Sequence, residues 1–185
     1  MTPPILGIFA SAVTGGVSTT SFESIATVSV GSGGSSTVEF TSIPSTYTHL
    51  QLRYMARNSS ANYFVRIGFN NNTTATDYAY HILNGTGSSI TTGYENNYSY
   101  APRVYSGSPT QVFGVGVVDI LDYANTNKNK TFRGLGGFDA NGSGELDFIS
   151  GLWMKTNAIT SIQISAYAGS YQQYSHFALY GCKSA

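Results

Sequence analysis

Apolar and polar side chains alternate along much of this 185-residue chain, and this period of two is the feature that most restricts its fold. In residues 47–55, Leu50, Leu52 and Tyr54 share one phase, whereas the positions between them are polar. Successive side chains of a β-strand point to opposite faces of the sheet. The pattern therefore predicts strands with one face on a core and the other toward water.

The same alternation recurs in short segments that Gly- and Ser-rich stretches separate at intervals of about ten residues. This spacing predicts about ten strands and no helix, which is typical of a β-sandwich, and the length fits one domain. We predict an all-β fold, a jelly-roll-like antiparallel β-sandwich over residues 21–185. Further alternating positions are Val38 and Phe40; Tyr63, Val65, Ile67 and Phe69; Ile162 and Ile164; and Phe177 and Leu179.

Two segments, residues 112–121 and 146–154, are apolar in both phases. Such a strand is either central and covered on both faces within one chain, or covered on its second face by another subunit. We expect the second arrangement and predict a homo-oligomer, with a trimer favoured. Gly114 and Gly116 in the first segment predict a close approach of neighbouring groups or a bulge.

The first twenty residues differ from the rest, because an apolar cluster of Ile5, Leu6, Ile8 and Phe9 precedes a glycine pair at 15–16. An apolar arm ahead of a flexible joint is suited to docking on a neighbouring subunit. We predict that residues 1–20 form an anchoring arm that joins the sandwich to other proteins of an assembly.

The chain is almost uncharged, with 10% charged residues where soluble domains usually have about 25%. Its nine basic and nine acidic residues are scattered, so we expect neither nucleic acid nor membrane as a partner. Tyr, Ser, Gly and Asn, which build adaptable recognition surfaces, are abundant instead. The composition indicates a structural or binding protein, and the lone Cys182 is interpreted as a packed side chain.

Patterns that support catalysis are scarce. His49, His81 and His176 have no spacing that suggests a metal site. Asp119 and Asp122 are three residues apart, which places them on opposite faces of a strand and prevents them from flanking one bond. We therefore predict that the protein is not an enzyme and uses no cofactor or metal.

Residues 139–145 resemble the first half of a calcium loop, because oxygen-bearing side chains occur at alternate positions. Ser150 stands where a closing glutamate would be needed, and Asn141–Gly142 favours a hairpin turn. The hairpin is the favoured interpretation, and calcium binding stays open.

The richest candidate recognition surface lies in residues 94–105, where tyrosines are interspersed with Asn and Ser. Tyrosine rings offer flat apolar faces with a polar tip, which suits sugar rings or a protein neighbour. The alternative is that half of these rings belong to the core. The predicted binding residues are Tyr94, Tyr98, Tyr100 and Tyr105.

Several segments resemble small virion structural proteins of tailed bacteriophages, including cyanophages. The similar segments are residues 5–11, 41–58, 118–142, 151–154 and 176–181, which are spread over nearly the whole chain. Their motifs are strand and turn sequences, and Cys182 stands where the family leads us to expect Ile. The resemblance implies a location on the exterior of a phage particle, as a tail-fibre or minor-tail component that contacts the host surface and its glycans.

Other functions stay open. A capsid cement or decoration protein would have the same fold and location on the particle. A carbohydrate-binding β-sandwich module would use the same tyrosines as a monomer, and an all-β hydrolase would need a carboxylate pair that the sequence does not reveal.

Overall fold

The computed structural model describes residues 21–60, 64–97, 99–107 and 110–183. The anchoring-arm prediction for Ile5, Leu6, Ile8 and Phe9 lies outside the described residues. The binding prediction for Tyr98 also lies outside them.

The described residues form twelve β-strands and one short 3-10 helix, in agreement with the all-β prediction. The count exceeds the predicted ten because β7 has two residues and β6 is exposed along nearly its whole length, so neither shows alternation. The 3-10 helix is Ala75–Asp77. The strands are β1 Phe22–Ser29, β2 Thr37–Phe40, β3 His49–Ala56, β4 Val65–Phe69, β5 Tyr78–Gly85, β6 Ile90–Glu95, β7 Tyr100–Ala101, β8 Gly114–Ile120, β9 Lys130–Asp139, β10 Gly144–Trp153, β11 Ile162–Ala166 and β12 His176–Cys182.

The strands form two antiparallel sheets that pack as a sandwich. One sheet has eight strands in the order β1-β12-β3-β8-β9-β10-β5-β6, and the other has four in the order β2-β11-β4-β7. The alternating side chains of both sheets meet in the core, as predicted: Leu50, Leu52 and Tyr54 of β3 are buried, and so are Ile162 and Ile164 of β11.

The connectivity is that of a jelly roll with additions. Strands β2 to β8 and β11 cross between the sheets at every connection except the β5–β6 hairpin. Their orders are β3-β8-β5-β6 and β2-β11-β4-β7, which is the arrangement of two Greek keys. The β9–β10 hairpin is inserted between β8 and β5, and β1 and β12 extend the far edge. The insertion places a long hairpin at the centre of the larger sheet.

Residues 139–145 form the turn of this inserted hairpin, which agrees with the favoured interpretation. Ala140 N donates to Ser143 O at 2.7 Å, closing a two-residue loop. Asn141 and Gly142 occupy the loop with φ values of 57° and 102°. Two consecutive positive φ values are what the tight hairpin turn requires, and Asn-Gly is the favoured pair for it.

Glycines on the inner side of β8 and β9 admit bulky groups beneath the sheet. A β-carbon at Gly116 would overlap the Tyr54 ring, and one at Gly134 would overlap the ring of Pro102. The Tyr54 hydroxyl donates to the carbonyl of Pro102, so the two bulky groups are joined. Gly116 thus confirms the close approach predicted from the sequence.

Candidate functional site

The outward face of the eight-stranded sheet carries a continuous row of apolar side chains across its centre. Leu135 of β9 lies opposite Val117 of β8 on one side and Phe148 of β10 on the other. Phe148 in turn lies opposite Leu83 of β5. Neighbouring strands are about 4.8 Å apart, so these four side chains form one contiguous strip.

A second apolar row runs beside the first. Met55 of β3 lies opposite Val115, and Val115 lies opposite Gly137, which has no side chain. Leu146 is the next partner of Gly137. The missing side chain leaves a depression in the face, bordered by the β9–β10 turn and by residues 85–87, with a volume of about 740 Å³.

The apolar side chains in these rows are exposed. The most exposed is Ile90 of β6 at 78%, which ends the second row beyond Leu146 and Gly85. Leu146 itself is 61% exposed. Together they present on the order of 800 Å² to solvent, whereas monomers rarely expose a contiguous apolar patch beyond a few hundred Å². We call this surface the apolar face; it consists of Met55, Leu83, Ile90, Val115, Val117, Leu135, Leu146 and Phe148.

A polar row borders the apolar face along the next positions of the same strands. Asp119 lies opposite Arg133 and accepts a hydrogen bond from Gln51 Nε2 at 2.7 Å. Gln51 Oε1 also accepts from Arg53 Nε at 2.6 Å. This border contains both charge signs, so it can face a copy of itself without net repulsion.

Tyr94, one of the tyrosines predicted to bind, is exposed. It is 67% exposed on β6, and its ring stacks on His81 with 5.7 Å between centroids. A recognition role for Tyr94 stays a prediction.

The prediction of an exposed surface is wrong for Tyr100 and Tyr105, which are both buried. Tyr100 packs on Phe64 and edge-on to Tyr80, with centroids 4.9 and 5.0 Å apart. Tyr105 packs on Phe138 at 5.0 Å. β7 pairs with β4 at the edge of the smaller sheet, and its two-residue length hid the alternation that marks a core strand.

A buried ionic cluster lies beneath the apolar face, and sequence reasoning missed it. Glu145 and Asp147 share one side of β10, and both face Arg103, whose Nη1 is paired with Glu145 and lies 3.6 Å from Asp147 Oδ1. Asn84 Nδ2 donates to Glu145 Oε2 at 3.0 Å and to Asp147 Oδ1 at 2.8 Å. The backbone N of Arg103 donates to Asp147 Oδ2 at 3.0 Å.

These contacts occupy both oxygens of Asp147 and Oε2 of Glu145 with donors from β5 and from the segment after β7. Asp147 is fully buried, and the side chains of Arg103 and Glu145 are about one-seventh exposed. A general acid or base needs an accessible proton. The buried cluster therefore suits a structural role, as a clamp that links β10 to β5 and to the segment after β7.

Asp119 and Asp122, the two carboxylates considered as a pair in the sequence analysis, lie apart from each other. Asp119 belongs to the outward face, whereas Asp122 lies in the turn after β8, where Asn125 N donates to its carbonyl at 3.0 Å. The hydrogen bond from Lys128 lowers the pKa of Asp122. Residues 122–125 thus form a turn at the end of β8.

Lys130 is fully buried, and no carboxylate in the described part of the chain is paired with it. Its ammonium donates to the carbonyls of Asn125, Lys128 and Thr156 at 2.5, 3.0 and 2.9 Å. Burial lowers the pKa of Lys130. The side chain joins the loop after β8 to the loop after β10.

Within the described ranges, no group of three or more His, Cys, Asp and Glu side chains is arranged to hold a metal ion. In the same residues, no helix has the length and apolarity that crossing a membrane requires. Cys182 is half-buried, and burial raises the pKa of its thiol.

No protein-family model matches the sequence, and no curated protein or solved structure is significantly similar to it. The apolar face is thus the feature that supports a functional proposal.

Proposed function

We propose that this protein is a structural subunit that associates with copies of itself through the apolar face. The observation that supports the proposal is the row of Val117, Leu135, Phe148 and Leu83, which lie in register across four strands and are 38 to 53% exposed. A standard protein interface buries about 800 Å² per partner, which is close to the area of this face.

The energy available from this face is large enough for stable association. At about 25 cal/mol per Å², covering roughly 800 Å² of apolar surface contributes on the order of 20 kcal/mol per chain as an upper limit. Association costs on the order of 4 to 15 kcal/mol in lost freedom and ordering. A net gain is left if the packing is complementary.

The charges at the border of the apolar face are compatible with a second copy of the chain as the partner. The polar border has Arg53 and Arg133 beside Asp119, so two copies related by symmetry can bring opposite charges together. The chain has no net charge that would oppose its own association. A two-fold axis would pair two such faces, and the trimer expected from the sequence would bring three around one axis.

A virion role follows from this proposal together with the resemblance to phage structural proteins. The sandwich would be mounted on the exterior of the particle as a tail-fibre or minor-tail component, with residues 1–20 as the anchor to other virion proteins. A capsid cement protein is the alternative with the same assembly chemistry. Labelling of phage particles with an antibody against this chain distinguishes tail from capsid, and a particle that carries no label contradicts the virion role.

The assembly is tested by the mass of the purified protein in solution, measured by light scattering at micromolar concentration. We expect an oligomer for the wild type and a monomer for the double variant Leu135→Thr, Phe148→Thr, because threonine keeps the strand but removes apolar area. Phe22→Thr is the matched control, since Phe22 is 46% exposed on β1 of the same sheet, four strands from β9 and five from β10.

The control variant should keep the wild-type mass, and circular dichroism should show that all variants are folded. A monomeric wild type, or a double variant that keeps the oligomer, contradicts the proposal.

A further inference from the structure

A polar groove lies at one end of the sandwich, beyond the ends of three neighbouring strands. Arg57 follows β3, Phe113 precedes β8 and Tyr174 precedes β12. The groove has a volume of about 450 Å³, within the usual range of roughly 300 to 1,000 Å³ for ligand clefts. Its lining residues are Arg57, Thr110, Gln111, Phe113, Gln172, Gln173 and Tyr174.

Tyr174 occupies a backbone position that disfavours it. Ser175 N donates to Gln172 O at 3.1 Å, so residues 172–175 form a turn in which Tyr174 is the third residue, with φ of 73°. Turns with a positive φ at the third position usually have Gly or Asn there, because a β-carbon crowds the backbone. Tyr174 N is tied to Val30 O at 3.1 Å, which fixes this conformation.

The ring of Tyr174 gains little packing in return, since the residue is 72% exposed. Strained residues persist where the surrounding structure enforces them, and they cluster at functional sites. An exposed aromatic ring on a strained and fixed turn is thus a candidate binding platform.

The other lining groups define the ligand chemistry. Gln111, Gln172 and Gln173 each supply an amide donor and an amide acceptor, and Thr110 supplies a hydroxyl. Among the described lining residues Arg57 is the one that is charged, and its Nη2 donates to Gly107 O at 2.8 Å. One cation is too little for a phosphate backbone, and these described residues include no carboxylate that would attract a basic peptide.

Amide groups beside an exposed aromatic ring can contact both the hydroxyl groups and the C–H face of a sugar. The C–H face of a pyranose ring packs on an aromatic face, and its hydroxyls exchange hydrogen bonds with amide donors and acceptors. We propose that this groove binds a carbohydrate chain, with Tyr174 as the stacking platform. This site is separate from the apolar face and does not depend on self-association.

The test is titration calorimetry of the full chain with three defined probes: cellohexaose, mannohexaose and hexagalacturonic acid. We expect at least one to bind, with the acidic probe separating a contribution of the Arg57 charge from stacking alone. Binding of none of the three overturns the proposal.

The Tyr174→Gly variant gives the sharpest readout, because function and stability should move in opposite directions. Glycine removes the ring and also the backbone strain, so affinity should fall at least tenfold while the melting temperature rises. Tyr174→Phe keeps the ring face and should keep the affinity within about threefold. Unchanged affinity in Tyr174→Gly overturns the proposal.

Phe22→Thr is the matched control, since Phe22 is also an exposed aromatic residue but lies on a regular strand, at the end of β1 away from the groove. It should bind the probe as the wild type does. Loss of binding in Tyr94→Thr with full binding in Tyr174→Gly would move the site to the surface predicted from the sequence and overturn the assignment to this groove.

Discussion

Leu135 and Phe148 lie directly opposite each other on the two strands of the inserted hairpin, and both are about half exposed. Cross-strand apolar pairs stabilise a sheet by their contact, but this pair leaves its outer surface in water. The pair marks the centre of the apolar face, and its exposure leads to the first prediction.

If copies of the chain cover this pair, the melting temperature depends on protein concentration. Association stabilises the native state by mass action, so a hundredfold dilution should lower the melting temperature by several degrees. Differential scanning fluorimetry over a range from about 100 to 1 μM measures this. The Leu135→Thr, Phe148→Thr variant should show a constant melting temperature, and a constant value for the wild type would contradict the prediction.

Gly116→Ala should destabilise the protein by about 2 to 3 kcal/mol, because the new methyl group overlaps the Tyr54 ring and overpacks the core. Urea unfolding monitored by fluorescence gives the free energy of unfolding. Gly33→Ala is the control, since a β-carbon there meets nothing within 4 Å. Equal stabilities of the two variants would show that the Tyr54 ring moves aside freely.

Arg103→Met should lower the free energy of unfolding by about 3 to 5 kcal/mol, because it leaves the buried Asp147 and Glu145 without their cation. Adding Asp147→Asn and Glu145→Gln to Arg103→Met should recover part of this loss, since no uncompensated charge is left. Chemical denaturation of the wild type and of both variants measures the two effects. A loss below 1 kcal/mol in Arg103→Met would contradict the clamp.

Stability should fall as the pH rises from about 10 to 12. Burial raises the pKa of both Tyr78 and Tyr80 to about 12, whereas in the unfolded chain they ionise near 10. Their contribution is complete below the unfolded pKa and is lost as the pH passes through the folded pKa. Urea unfolding at several pH values measures this, and Tyr80→Phe should show a shallower decline than the wild type. A wild-type stability that is constant up to pH 12 would contradict the pKa shifts.

The core was predictable where apolar side chains alternate within one strand. Leu50, Leu52, Ile162 and Ile164 are buried as expected. The sequence also predicted that residues 112–121 and 146–154 are apolar on both faces, and the register now joins their outward positions into one surface. The insertion of the β9–β10 hairpin between β8 and β5 was not predictable, because non-local strand order leaves no local pattern.

The candidate sites were harder to predict from the sequence than the core was. Tyr100 and Tyr105 stand among Asn, Ser and Pro, so their burial depends on the sheet that the segment crosses and not on local periodicity. Tyr174 is the opposite case, because it is exposed. It also has a positive φ, which tyrosine rarely adopts, because it is the third residue of a turn. Arg103, Glu145 and Asp147 are scattered in the sequence, and antiparallel pairing alone brings Asn84 beside Asp147.

At the inward glycines of β8 and β9, filling the interior and forming the outward surface depend on different segments of the chain, whereas most strands supply side chains for both. At these glycines the interior is filled by Tyr54 and Pro102, which belong to other segments. The outward side chains of the same strands can therefore be exchanged with little effect on the interior. A lineage of such proteins could change its assembly partners by substitutions at a few outward positions, and a protein engineer could install a new interface there while leaving the fold intact.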